Sequence, residues 1–266
     1  MNVEILLSCM HQHDTSIVTK SNITCDAVIV NQCDDDQCKR YEVEDIHGNS
    51  HHINFISTRE RGLSRSRNMA IHNATATICV IADDDEIFSD DASKEIIQAY
   101  EQHPEADVII CDVSGTRISK NINSKSVQKV GYLKALQVTS AQITFKRESI
   151  LKNGIYFDIE MGSGTGHGCG EENKFLYDCL HAHLNIIHVP ITIAHIEKGN
   201  KSMWFKGYTP RFFLERGWAT ARYMGKPMAV LYAIYYALRK KSLYGKDTSM
   251  AKALTNMLKG IFSKTI

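Results

Sequence analysis

Between Val80 and Phe88 the chain reads VIADDDEIF, three aspartates and a glutamate set directly behind an apolar run. Adjacent carboxylates repel one another, and at the end of a buried strand that repulsion calls for a compensating cation, most simply a divalent metal held by carboxylate oxygens. A solvated loop is the competing account, because Ser89 and Asp90 stand before ASKEIIQAYEQ as N-cap residues would. A second acidic pair, Glu171 and Glu172, opens EENKFLYDCLHAH, where Phe175, Leu176 and Cys179 share one helical stripe. At the N-terminus of a helix two carboxylates complement its dipole.

The elements that must position these groups alternate. VEILLSC, DAVIVNQ, TICVIAD and DVIICDV read as strands, and SRSRNMAIHNA and SKEIIQAYEQ as helices. This is the pattern of a parallel sheet flanked by helices, whose ligands bind beyond the carboxyl ends of the strands. NQCDDD and ADDDE both fall on that rim. From Thr139 the pattern changes to a strand, TSAQITF, and then to GSGTGHGCG, whose alternating glycines read as a mobile loop. No Lys-Ser/Thr follows them, which argues against a phosphate-cradling loop.

With 266 residues, 43% apolar and 23% charged, the chain is long enough for one large domain or two fused halves. Its eight cysteines form no CxxC pair and read as free thiols of a reducing compartment. The N-terminal MNVEILLSCM lacks a basic lead and a small-residue cleavage site, so a cytoplasmic protein is expected. The net charge of +1 conceals two opposite parts: residues 1–197 carry 17 Lys/Arg against 28 Asp/Glu, and residues 198–266 carry 14 against 2. The basic part includes MAVLYAIYYAL followed by RKK, which is too short to span a bilayer. Flanked by Arg211, Arg216, Arg222, Lys226, Arg239, Lys240 and Lys241, it suits a helix lying on an anionic membrane, or one docked on the catalytic core. Positive charge interleaved with an apolar stripe fits lipid headgroups better than a nucleic-acid groove.

RGLSRSRNMAI, IADDDEIF, and GCGEENKFL with AHIEKGNKS, in that order, resemble glycosyltransferase family 2, inverting enzymes of the GT-A fold that use nucleotide-diphosphate sugars. The resemblance covers roughly residues 1–200. It implies that Asp83, Asp84 and Asp85 stand at the Asp-x-Asp motif, with Asp85 and Asp83 on the metal, and Asp83, near the ribose, also binding the nucleotide sugar together with Asp84. It implies Glu172 as general base with Glu171 as its partner, and His195 as a further metal ligand. Asp34 matches the aspartate after the second strand that bonds the base or ribose, and Arg67 and Asn68 match a helix facing the nucleotide and diphosphate. For Arg59, Arg61 and Arg65 the expectation is surface charge. SCMHQHD departs from the family's usual PTYN, which leaves open what holds the base near Ser8 to His11.

The resulting expectation is an α/β protein of GT-A fold: a mostly parallel, Rossmann-like sheet flanked by helices, with a basic helical C-terminal extension. Residues 1–100 would bind the nucleotide sugar, 101–197 the acceptor and base, and 198–266 would form the basic amphipathic part. The expected enzyme moves a hexose from a UDP-sugar onto a hydroxyl of a glycan or lipid-linked glycan, using Mn2+ or Mg2+. It would work in the cytoplasm, in peripheral contact with the anionic inner face of the plasma membrane and without nucleic acid. Two rivals are a sugar-nucleotide pyrophosphorylase or nucleotidyltransferase, and a non-catalytic carbohydrate-binding protein of the membrane surface. The first would need a glycine- and lysine-rich phosphate loop after the opening strand, which SCMHQHD does not supply.

Overall fold

β-Branched and aliphatic residues make up most of the centre of the sheet in a computed structural model that describes residues 1–115, 125–197, 205 and 207–263. In chain order the first half runs β1 (Val3–Met10), α1 (Ser16–Lys20), β2 (Asp26–Gln32), β3 (Gln37–Glu44), β4 (Ser50–Thr58), α2 (Leu63–Asn73), β5 (Ile78–Asp83) and β6 (Glu86–Phe88). Then come α3 (Ala92–Gln102), β7 (Val108–Ser114), β8 (Gln128–Lys129), α4 (Tyr132–Ala135), β9 (Ile143–Lys146), α5 (Arg147–Lys152), α6 (Glu171–His181) and β10 (Ile186–Ile196). Four helices complete the described chain: α7 (Pro210–Met224), α8 (Lys226–Arg239), α9 (Lys241–Tyr244) and α10 (Met250–Phe262).

One ten-stranded sheet has the order β3-β4-β2-β1-β5-β9-β7-β10-β6, with β8 also on β10. The α/β class stands, and β4, β2, β1 and β5 form the expected parallel centre. Beyond it the sheet is mixed. β9 runs antiparallel between β5 and β7, and β3, β6 and β8 are antiparallel too. TSAQITF accordingly begins as a 3-10 turn at Ser140–Gln142 and becomes a strand only at Ile143.

Alternation along β1 sends Ile5, Leu7 and Cys9 into a core with α1 and α3, and Leu6 into a second core with α2, α6 and α7. Phe175, Leu176 and Cys179 of α6 are buried in the second core, as their stripe predicts, together with Trp218, Ala219 and Tyr223 of α7. All eight cysteines are free.

The glycine-rich stretch differs from the mobile loop expected. Ser163 O accepts a hydrogen bond from Leu63 N at 2.9 Å, Gly162 N donates to His167 O at 2.8 Å, and the His167 ring stacks on Trp218 at 3.6 Å. Gly162 holds φ at +98°, and a Cβ there would stand 3.2 Å from Ser64 Oγ and 3.4 Å from Glu171 Cδ. The glycine therefore permits close approach to the acidic helix.

The C-terminal helices form a third core of Phe213, Ala233, Tyr236, Tyr244 and Met257. Backbone meets backbone where α7 crosses α10. A Cβ on Gly217 would lie 2.0 Å from Met257 O, and one on Gly260 1.9 Å from Leu214 O. A Gly→Ala change inside a helix ordinarily gains about 1 kcal/mol. Here Gly217→Ala and Gly260→Ala are each expected to reverse that sign and lower stability by about 1–3 kcal/mol through overpacking. Thermal or denaturant melting checks this, and a rise in either variant refutes the crossing.

Candidate active site

The carboxylates collect where β5 ends. Asp83 is the last residue of β5, Asp84 and Asp85 make the turn, and Glu86 begins β6. Glu86 is 1% exposed, and its Oε1 accepts a hydrogen bond from Asp83 N at 3.1 Å while Oε2 has no hydrogen-bond partner among the described residues. Burial, and then the neighbouring Asp83, pushes the Glu86 carboxyl well above its ordinary range. The same two causes raise the half-buried Asp84. The residue after β10 fastens the turn from the side, because Glu197 N donates to Asp85 O at 3.0 Å.

Arg67, near the middle of α2, is fully buried. Its Nη2 donates to both Asp83 oxygens at 3.0 Å, and its Nη1 donates to Glu171 Oε1 at 3.0 Å. The guanidinium lies over the Phe157 ring, 5.3 Å from its centroid. Burial alone would discharge it, but Asp83 and then Glu171 outweigh that cost and hold its pKa above the ordinary value. Arg67 therefore joins the strand-end carboxylates to the start of α6.

The helix bearing Arg67 is placed by its own polar side chains. Ser64 Oγ donates to Met161 O and Ser66 Oγ to Ser8 Oγ, both at 2.7 Å, and Gly62 N donates to Gln32 Oε1 at 2.7 Å. Asn68 is engaged within the fold. Its Nδ2 donates to Phe157 O and its Oδ1 accepts from Phe157 N, each at 2.8 Å, so it holds the segment under Arg67.

At α6, Glu171 is 7% exposed and bound to Arg67, whereas Glu172 makes no ion pair among the described residues. Burial, followed by the charge of Glu171, pushes the Glu172 carboxyl up to about 8. A carboxylate tuned to that range suits acceptance of a proton near neutral pH.

Asp34 follows β2 on the surface, 2.7 Å from Arg61 Nη2. Arg61 also donates to Cys33 O and Arg59 O at 2.8 Å, so it clamps the turn rather than serving as plain surface charge. Sequence reasoning missed Arg61, Glu86 and Asn31. Buried Asn31 fastens the segment after β1 through both sides of its amide, accepting from Gln12 N at 2.9 Å and donating to Gln12 O at 2.8 Å. Its signal was a polar side chain set directly behind the apolar run AVIV.

His195 is exposed on β10 and pairs in register with Ile87 of β6, one residue beyond Glu86. Among the described residues, no three His, Cys, Asp or Glu side chains converge as a preformed metal cage. The part of AHIEKGNKS from residue 198 onward lies outside the described residues.

The strand-end carboxylates, Arg67 and the glutamates of α6 sit at one rim of the sheet of a glycosyltransferase that draws on a nucleotide-sugar donor. The profile of glycosyl transferase family 2 matches residues 4–164, and the chain belongs to that family. No curated protein matches it. The fold is similar to that of S. aureus TarS 1–349 in complex with UDP-GlcNAc, with a TM-score of 0.63 and 13% identity over 93% of this chain and 74% of that one. It is also similar to the mannosyltransferase PcManGT from Pyrobaculum calidifontis in complex with GDP-Man and Mn2+, with a TM-score of 0.58 and 14% identity over 99% of this chain and 88% of that one.

Proposed function

We propose that the protein is an inverting, metal-dependent hexosyltransferase that moves a sugar from a UDP-sugar onto a hydroxyl of a glycan or lipid-linked glycan. The observation that carries this reading is the buried Arg67, which commits Asp83 and Glu171 to each other's vicinity and leaves Glu172 as the α6 carboxylate with a raised pKa. In the reaction the acceptor hydroxyl gives its proton to Glu172. Its oxygen attacks the anomeric carbon from the face opposite the diphosphate, and the bond to the leaving phosphate oxygen breaks. One base on the acceptor side suffices for this inversion.

The acidic turn fits a divalent ion. Burial, and then the neighbouring Asp83, raises the pKa values of both Asp84 and Glu86, and Glu86 keeps a buried oxygen without a hydrogen-bond partner among the described residues. Mg2+ and Mn2+ are commonly bound by one or two carboxylates together with substrate phosphates, so a three-ligand cage is not required beforehand. Asp85 would hold the ion, with His195 as a further donor, and the ion would neutralise charge on the leaving diphosphate. Asp83, whose oxygens face Arg67, would act on the ribose side together with Asp84, and Asp34 would face the base. The neighbours with UDP-GlcNAc, or with GDP-Man and Mn2+, support a donor of this kind. In this reading residues 1–100 serve the donor and 101–197 the acceptor and base, and the basic 198–266 meets an anionic, membrane-borne acceptor.

Asp85→Ala is expected to weaken Mn2+-dependent UDP binding by about tenfold or more. Calorimetry of UDP in Mn2+ and in chelator measures this. Equal affinity in the two buffers for the unaltered protein would remove the metal from the reading.

A further inference from the structure

Helix α8 is built inside out relative to an ordinary surface helix. Its small residues Ala229, Ala233 and Ala237, with Tyr236, are buried against α7 and α10. Its large apolar residues face away: Met228, Leu231, Ile234, Tyr235 and Leu238 are 41–59% exposed. Their spacing is that of one helical stripe. Leu243 on α9 and Phe262 at the end of α10 are exposed as well, and Lys226 Nζ stands 5.9 Å from the Phe262 ring centroid, so the two chain segments meet at one patch. A contiguous apolar patch of this kind on a folded chain marks an interaction surface.

Charge decides the partner. Three of the basic residues flanking the run are already engaged within the fold. Arg211 lies 2.6 Å from Glu215, Arg222 lies 2.8 Å from both Asp158 and Glu160, and Arg216 is held between the rings of Phe212 and Tyr236. By contrast Lys226, Arg239, Lys240, Lys241 and Lys246, at the two ends of α8 and just beyond, are exposed and make no ion pair among the described residues. A second copy laid on the stripe would set these cations against their own counterparts, in a segment with 14 Lys/Arg and 2 Asp/Glu. An anionic bilayer complements them, and Tyr235 suits its polar boundary. No helix among the described residues is long and apolar enough to cross a membrane, so contact takes the form of lying on the surface.

We infer that the outward face of α8, centred on Leu231, Tyr235 and Leu238 and collared by Lys226, Arg239, Lys240 and Lys241, is the surface by which the protein docks on anionic lipid. This deepens the membrane contact in the reading above by naming its residues, and vesicle binding itself is measured without donor or acceptor. The full chain is pelleted with vesicles of phosphatidylglycerol mixed with phosphatidylcholine, and with vesicles of phosphatidylcholine alone. Binding to the anionic vesicles is expected to be about tenfold or more tighter, and to weaken with salt. Leu231→Glu combined with Leu238→Glu should lower it about tenfold or more, with melting temperature and UDP release in solution unchanged. Equal binding to both vesicle types, or full binding by the double variant, overturns the inference. So does a stripe-dependent dimer in ultracentrifugation without vesicle binding, which would assign the face to a second copy. Loss of UDP release with vesicle binding intact would instead count against the transferase reading alone.

Discussion

Glu172→Gln should abolish sugar transfer, lowering kcat by about a thousandfold or more, while the protein remains folded, because general-base catalysis contributes about 10²–10⁴. Glutamine keeps the side chain's length but cannot take the acceptor's proton. The fold should not suffer. Burial and Glu171 raise the folded pKa of Glu172 to about 8, so its ionised form costs stability increasingly as pH rises from the unfolded value toward 8. Removing the charge relieves that cost. In the unaltered enzyme kcat/KM should climb with pH through a limb near 8 and level off above it, since the base must be ionised in the free enzyme. Initial rates from pH 6 to 9, with circular dichroism of both proteins, provide the measurement. A variant that retains transfer would move the base elsewhere.

The second large effect is expected at Arg67. Arg67→Met leaves Asp83 and Glu171 without their shared cation, and breaking a buried pair by removing one partner costs about 3–5 kcal/mol. Arg67→Lys should recover only part of this, because a single ammonium lacks the fork that lets Nη1 and Nη2 address two carboxylates at once. Urea unfolding of the three proteins measures the series. If Arg67→Met unfolds at the same midpoint as the parent, the bridge does not hold the site together.

The parallel centre of the sheet is legible in the sequence because Ile5, Val28, Ile29 and Val80 lie in continuous apolar runs, the signature of strands buried on both faces. Helix α6 is legible because its stripe repeats at helical spacing. β3 is not, since QCKRYEVE is an edge strand with nearly every residue exposed or half-exposed, and it carries charges where a pattern would be sought. β9 has only four residues, too few to show a period. In the site, the acidic clusters and Glu172 stand out by composition. The burial of Arg67 does not, because an arginine in RGLSRSRNMAI looks like its neighbours until the two carboxylates that neutralise it are brought in from residues 16 and 104 positions away. Asn68 is a similar case: its amide pairs with backbone 89 positions along the chain. Local pattern carries no record of such distant partners.

Trp218, Ala219 and Tyr223 of α7 lie in the same buried cluster as Phe175 and Cys179 of the helix that carries Glu172. The C-terminal helices are thus a wall of the catalytic body as well as its outer surface. Cutting the chain ahead of them would strip the backing from α6 and confuse loss of the proposed lipid contact with collapse of the enzyme. Single exchanges on the outward side of α8 separate the two.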